Sequence, residues 1–185
     1  DELMTALGKI AAEQNLCVQS HLSENLDEIA WVRSLHPDCA QYWESYDKFG
    51  LWKSHTVMAH CIHSDERERT AIREAGVVVA HCPDSNINLC SGIAPVREML
   101  NEGIHVTLGT DIAAGSSLAG SRMVTMSIQA SKVRSFTDPA HPAFLTVPEA
   151  YYLGTTSGHR YFGAGSGFTP GDRLHAVVVD DRSFT

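Results

Sequence analysis

The chain has 185 residues, 43% of them apolar, 8% aromatic and 19% charged, with 14 Lys and Arg against 22 Asp and Glu and a formal charge of −8. This length and composition support a folded core and exclude disordered, collagenous and disulfide-scaffold classes. The acidic balance argues against a nucleic-acid backbone or an anionic membrane surface as partner, since both reward a basic face, and favours a small or neutral ligand.

Residues 1–14 read as a helix already under way, with Asp1 where an initiating Met would stand, so an N-terminal part is expected to be missing. Four short apolar runs then follow, at 16–21, 56–60, 77–81 and 104–111, each ending in a polar residue. Continuous Val, Ile, Leu and Ala, without alternation, is the pattern of parallel strands buried on both faces. Helix signals separate the runs. Residues 23–35 are helix-compatible, Ser64-Asp65-Glu66-Arg67 opens a stretch that stops at Gly76, Pro95 opens one that stops at Gly103, and 116–135 is again helical in pattern. This is four-fold βα repetition. Beyond 139–148 come a helix at 147–161, the run Gly163-Ala164-Gly165-Ser166-Gly167, and an apolar strand at 174–179 entered by Pro170-Gly171-Asp172. The glycines lack GxGxxG spacing and no strand feeds them, so they read as a connection rather than a phosphate cradle.

The five cysteines, Cys17, Cys39, Cys61, Cys82 and Cys90, are odd in number, form no CxxC and follow no signal-like apolar stretch. A disulfide framework is therefore not expected, and the cytoplasm is the expected compartment. No apolar run approaches the roughly 18 residues of a membrane helix.

The chemistry-bearing residues fall at strand ends. His21, His60, His81 and Asp111 each close a different run, on the edge where loops converge and ligands bind in parallel βα architectures. Imidazole and carboxylate together suit zinc or iron, so a metal site is expected there. Glu24, three residues after His21, is either a carboxylate of a helix first turn, with Ser23 or Asn25 as cap, or a general acid/base beside an activated water. Asp111 can ligate a metal, orient the water, or both. A local clip in His60-Cys61-Ile62-His63 is disfavoured because His63 has already left the strand, and Cys61 and Cys82 read as small buried apolar residues. There is no HExxH, GxSxG, P-loop or PCxxC. The aromatic stretch of Trp31, Tyr42, Trp43, Tyr46, Phe49 and Trp52 reads as packing of a helical excursion, part of which can act as a lid.

The series Gln19-Ser20-His21-Leu22-Ser23-Glu24-Asn25, Val57-Met58-Ala59-His60-Cys61, Ala80-His81-Cys82-Pro83-Asp84-Ser85-Asn86 and Gly109-Thr110-Asp111 resembles the amidohydrolase superfamily, in its nucleobase deaminase and chlorohydrolase branch. Ser23-Glu24-Asn25 and Asp111-Ile112-Ala113-Ala114-Gly115 are most similar to the guanine deaminases of that branch.

The resemblance implies an α/β fold, here the C-terminal half (strands five to eight) of a distorted TIM (β/α)8 barrel over 1–162, with the start of a small returning β-sandwich over 163–185. It implies zinc, with iron as the other option, held by His21 and Asp111 together with an N-terminal His-x-His that this chain lacks. Glu24, His60 and Asp111 are implied as catalytic, and His21, Glu24, His60 and Asp111 as the residues around the substrate. His81 is expected to be structural, with Asn86 and Ser85. The implied partner is a small purine base, and the implied assembly a homodimer. The implied reaction is hydrolysis of guanine to xanthine and ammonia. Kept open beside it are a deaminase of methylthioadenosine, adenosylhomocysteine or 8-oxoguanine, a triazine chlorohydrolase, and an inactive fragment that serves as a binding or assembly module. The isolated chain, with two of four ligands, is expected to bind metal weakly and turn over little.

Overall fold

The computed structural model describes residues 1–137, 143–163, 168–178 and 180. Four strands, β1 (Val18–Leu22), β2 (Thr56–His60), β3 (Val78–His81) and β4 (Val106–Leu108), pair in parallel in the order β1-β2-β3-β4. The register sets Leu22 opposite His60 and His81 opposite Leu108, so all four strands finish at one edge. An order that never reverses means that every crossover steps the same way. With right-handed connections, this stacks the crossover helices on one face of the sheet.

Helix α1 (Glu2–Glu13) precedes β1, and α2 (Leu26–Leu35) and α3 (Glu44–Asp47) link β1 to β2. Helix α4 (Glu66–Ala75) links β2 to β3, α5 (Pro83–Asn88) and α6 (Val96–Asn101) link β3 to β4, and α7 (Gly120–Thr137), α8 (Val147–Leu153) and α9 (Thr156–Tyr161) follow. Leu22, Met58, Val79 and Val106 from the strands meet Ile72, Met99, Ile104, Leu145 and Leu153 in one apolar core. Full burial of each such side chain contributes roughly 1.5–3 kcal/mol. The core fixes the sheet, and the sheet fixes its polar edge.

Several expected boundaries move. The fourth strand is only three residues long, and Asp111 lies three residues past its end, because the Gly109 N–H to His81 carbonyl bond (2.9 Å) comes before the chain turns away at Thr110. Helix α2 starts at Leu26 with Asn25 as its cap, in a reciprocal capping box with Glu28. Glu24 therefore precedes the helix and is no first-turn carboxylate. The helix expected at 147–161 is two helices. The break falls at Thr155 (φ −134, ψ −89), one residue after Gly154, where a side-chain carbon would stand 2.8 Å from Val124 Cγ2 and 3.4 Å from Leu108 Cδ1, so that the glycine lets the backbone approach α7 and β4 closely.

The expected strand at 174–179 is not formed over its described residues. Leu174, Val177 and Val178 are exposed and carry no strand hydrogen bonding. A strand needs a neighbour for its backbone groups, and no described strand pairs with this segment. Val179, residues 164–167 of the glycine run and residues 138–142 lie outside the described residues. All five cysteines are free thiols. Among the described residues no helix is long and apolar enough to cross a membrane.

Candidate active site

Parallel pairing carries His21, His60, His81 and Asp111 to the same edge. His21 is next to last in β1, while His60 and His81 end β2 and β3. The backbone there is unusual. Ser23 (φ 48), His60 (φ 72), Cys61 (φ 49) and Asp111 (φ 48) all adopt left-handed conformations, which non-glycine residues rarely take. Such strain persists where the surroundings over-determine it, and it concentrates at functional sites.

His60 is the centre of the arrangement and is 1% exposed. Its Nδ1 donates to Asn86 Oδ1 at 2.8 Å. Nδ1 therefore carries a proton, and Nε2 is the ring nitrogen turned toward the carboxylates. Nε2 lies 3.8 Å from Glu24 Oε2 and 4.0 Å from Asp111 Oδ2. Both distances are too long for a direct hydrogen bond, and they leave a gap bordered by one imidazole and two carboxylates. The His21 ring stacks on His60 with centroids 5.4 Å apart.

Glu24 is held from several sides. Its N–H donates to Glu28 Oε2 at 2.9 Å, and the other oxygen of Glu28 accepts from Tyr42 Oη at 2.8 Å. Burial beside Tyr46 and Glu28 pushes the Tyr42 phenol far above its ordinary range, so it remains a donor. Tyr46 Oη donates to the His21 carbonyl at 2.9 Å and stacks on Tyr42. Tyr42, Trp43, Tyr46 and Trp52 of the aromatic excursion thus pack as expected and brace the turn after β1, whereas Trp31 is exposed. Just before Glu24, Ser23 Oγ donates to Glu68 Oε2 at 2.7 Å, and burial raises the carboxyl pKa of Glu68. Ser91 Oγ donates to Glu24 Oε1 at 2.9 Å. Ser91 is absent from the residues that spacing singles out; its contact spans 67 positions along the chain, a separation no local pattern encodes.

Asp111 accepts a short hydrogen bond from Ser85 Oγ. The neighbouring Asp84 accepts from the N–H and hydroxyl of Ser116, both at 2.7 Å, and these bonds lower its pKa with help from Arg122. Asn86 and Ser85 thus serve His60 and Asp111 rather than His81, correcting the expected pairing. Helix α5 starts directly after β3, so its first turn carries residues 85 and 86 across the sheet edge. His81 is 2% exposed, its Nδ1 has no partner among the described residues, and its pKa is pushed down to about 4 by burial and then by His60. It is a neutral, buried ring.

The remaining candidates behave as apolar or structural groups. Cys61 and Cys82 are buried, and burial raises both thiols, Cys82 to about 12. His63 Nε2 donates to the Ser91 carbonyl at 3.0 Å, which takes it out of any clip with His60. A cavity of about 220 Å³ lies behind the site between α2 and α4, lined among others by Ser23, Arg33, His36, Tyr42 and Glu68. His60, Glu24 and Asp111 do not line it.

Among the described residues no group of three His, Cys, Asp or Glu side chains is gathered closely enough to hold a metal by itself. The donor types of His21, next to last in β1, and Asp111, three residues past β4, suit part of a zinc or iron site. Chemically, the gap beside His60 combines an imidazole nitrogen with a tethered carboxylate, a pair able to hold and move a proton at an oxygen placed between them.

Known proteins bear on this geometry. A chain similar to this one, 38% identical over 183 residues, is a guanine deaminase of Dictyostelium discoideum, matched over 97% of this chain and 40% of that relative. The crystal structure of a guanine deaminase from C. acetobutylicum, with guanine bound in its active site, superposes with a TM-score of 0.89 at 47% identity, covering 92% of this chain and 41% of that one. An atrazine chlorohydrolase from Arthrobacter aurescens TC1, solved with zinc, superposes at 0.72 with 26% identity, over 88% of this chain and 35% of its own. The chain therefore spans about 40% of the length of these two guanine deaminases. The model of the amidohydrolase family matches residues 1–183, and the chain belongs to the amidohydrolase family.

Proposed function

We propose that this chain is the C-terminal half of a guanine deaminase barrel, strands five to eight over 1–162, with 163–185 beginning a returning β-sandwich. The full-length protein would hydrolyse guanine to xanthine and ammonia. The observation that carries this reading is His60 Nε2 facing the carboxylates of Glu24 and Asp111 across one gap. The guanine-bound relative at 47% identity supports the choice of base.

In this reading Glu24 takes a proton from the attacking water and delivers it to the ring nitrogen beside the amino-bearing carbon; it then takes the second proton from the hydroxyl of the tetrahedral centre and passes it to the departing amine as the C–N bond breaks. His60 Nε2 and Asp111 orient the oxygen that attacks, and Asn86 keeps His60 Nε2 aimed at it. Guanine and water go in; xanthine and ammonia come out. Zinc, or iron in its place, would be held by His21 and Asp111 with ligands from outside this chain, and when bound it makes water acidic enough to supply a nucleophile near pH 7. His21, Glu24, His60 and Asp111 would surround the base. The free thiols agree with a cytoplasmic setting, and a homodimer is the expected assembly.

Ammonia release by the full-length, metal-loaded protein from guanine, methylthioadenosine and a triazine tests the assignment. Guanine should be the best of the three. A second reading, a triazine or other purine hydrolase on the same residues, is favoured by the chlorohydrolase neighbour, and guanine ranking last would select it.

A further inference from the structure

Glu24 has two oxygens, and the fold treats them differently. Oε2 faces His60 Nε2 across the gap, at 3.8 Å, while Oε1 points away and accepts from Ser91 Oγ at 2.9 Å. The donor is itself held firmly. Ser91 is 9% exposed, its N–H donates to the Asn86 carbonyl at 2.9 Å, and its own carbonyl accepts from His63 Nε2 at 3.0 Å. It lies between Cys90 (φ 56) and Gly92 (φ 130), two positions in left-handed backbone. A side chain at Gly92 would also meet Ile62 Cγ2 at 3.0 Å, so the turn has little room to relax. Asn86 joins the two halves of the site: its side chain aims His60 and its carbonyl aims Ser91.

We propose that Ser91 is the positioning residue for Glu24. By occupying Oε1, the hydroxyl stops the carboxylate from rotating and leaves Oε2 as the oxygen that takes and returns the proton. Ser91 touches neither the base nor the reacting atoms; it acts through Glu24. A hydroxyl donor to one carboxylate oxygen favours the charged form and fixes its orientation, which is what a proton acceptor needs before the reaction begins. The proposal rests on the reading of Glu24 as acid/base.

The test uses the full-length, metal-loaded protein and its Ser91→Ala and Ser91→Thr variants, with rates taken on whichever of guanine, methylthioadenosine and a triazine the unaltered protein turns over. Ser91→Ala should lower kcat by about 10- to 100-fold, as other supporting-residue changes do, with KM changed less than about 2-fold and with metal content and Tm retained. Ser91→Thr, which keeps the hydroxyl, should recover kcat to within about 3-fold. If Ser91→Ala does not accumulate as folded protein, Ser91→Cys, of similar shape and weak as a donor, carries the same expectation. Unchanged kcat in the variant that lacks the hydroxyl, a rise in KM in place of the fall in kcat, or no rescue by Thr overturns the proposal. A wrong substrate assignment does not affect this comparison. If none of the three compounds is turned over, crystal structures of the unaltered and Ser91→Ala proteins decide: a rotated Glu24 carboxylate supports the proposal and an unmoved one overturns it.

Discussion

His60 and His81 end adjacent strands at one sheet edge and are almost equally buried, yet they are served very differently. At the end of β2, the ring of His60 has Asn86 on one nitrogen and two carboxylates facing the other. At the end of β3, His81 has an Nδ1 with no partner among the described residues and a pKa pushed down to about 4 by burial and then by His60. Position at a strand end is the same in both cases; what differs is what the neighbouring turns deliver. The turn after β1 brings Glu24, the segment after β4 brings Asp111, and the first turn of α5 sends Asn86 toward β2 rather than back onto β3. The same residue type thus gains polar partners at one strand end and is a buried ring at the other, according to the groups around it.

Four experiments break or sharpen that contrast. The largest effect is expected from Glu24→Gln in the full-length protein, which removes the proposed proton acceptor facing His60 and should lower kcat by about 10³-fold or more. Near-normal ammonia release would remove Glu24 from the chemistry. The next concerns the β3 end and stability rather than rate. His81 binds a proton in the unfolded chain below its ordinary value of 6.5 but in the folded chain only below about 4. Stability is therefore fully present above pH 6.5 and falls as pH drops toward 4, by up to about 3 kcal/mol from this one group. Urea midpoints measured across that window should fall with pH in the unaltered protein and flatten in His81→Leu; parallel slopes would mean that other groups dominate.

Asn86→Leu separates the two ends directly. If Asn86 serves His60, kcat should drop by about 10- to 100-fold while the acid slope of stability stays as it was. A changed acid slope with kcat intact would instead tie Asn86 to His81. The smallest effect belongs to Asn25→Ala, which breaks the capping box beside Glu24 and should cost about 1 kcal/mol in a denaturant titration. That change should spare the β3 end entirely, and an altered acid slope would contradict the separation.

Much of this was legible along the chain. The four parallel strands, the stops at Gly76 and Gly103, the buried thiols and the residues at the polar edge follow from apolar runs and their terminators, because such patterns report burial and local backbone preference. Legibility failed where a remote surface decides. Residues 174–178 have the composition of a strand and form none, since a strand is made by its neighbour. The helix expected at 147–161 breaks at Thr155, beside the point where Gly154 lets the backbone approach α7 and β4 closely. Asn86 and Ser85, close in sequence to His81, turn out to serve His60 and Asp111.

By itself, then, the sequence determined the parallel βα class and singled out His21, His60, His81 and Asp111 at the strand ends, with Glu24 three residues after His21. Residue type and strand position are local properties that a linear pattern carries. Tertiary structure alone decided which histidine faces carboxylates, that Asp111 reaches the edge from beyond β4, and that Ser91 grips Glu24 across 67 positions. Those contacts depend on how crossovers fold back over the sheet, and no short-range spacing encodes them.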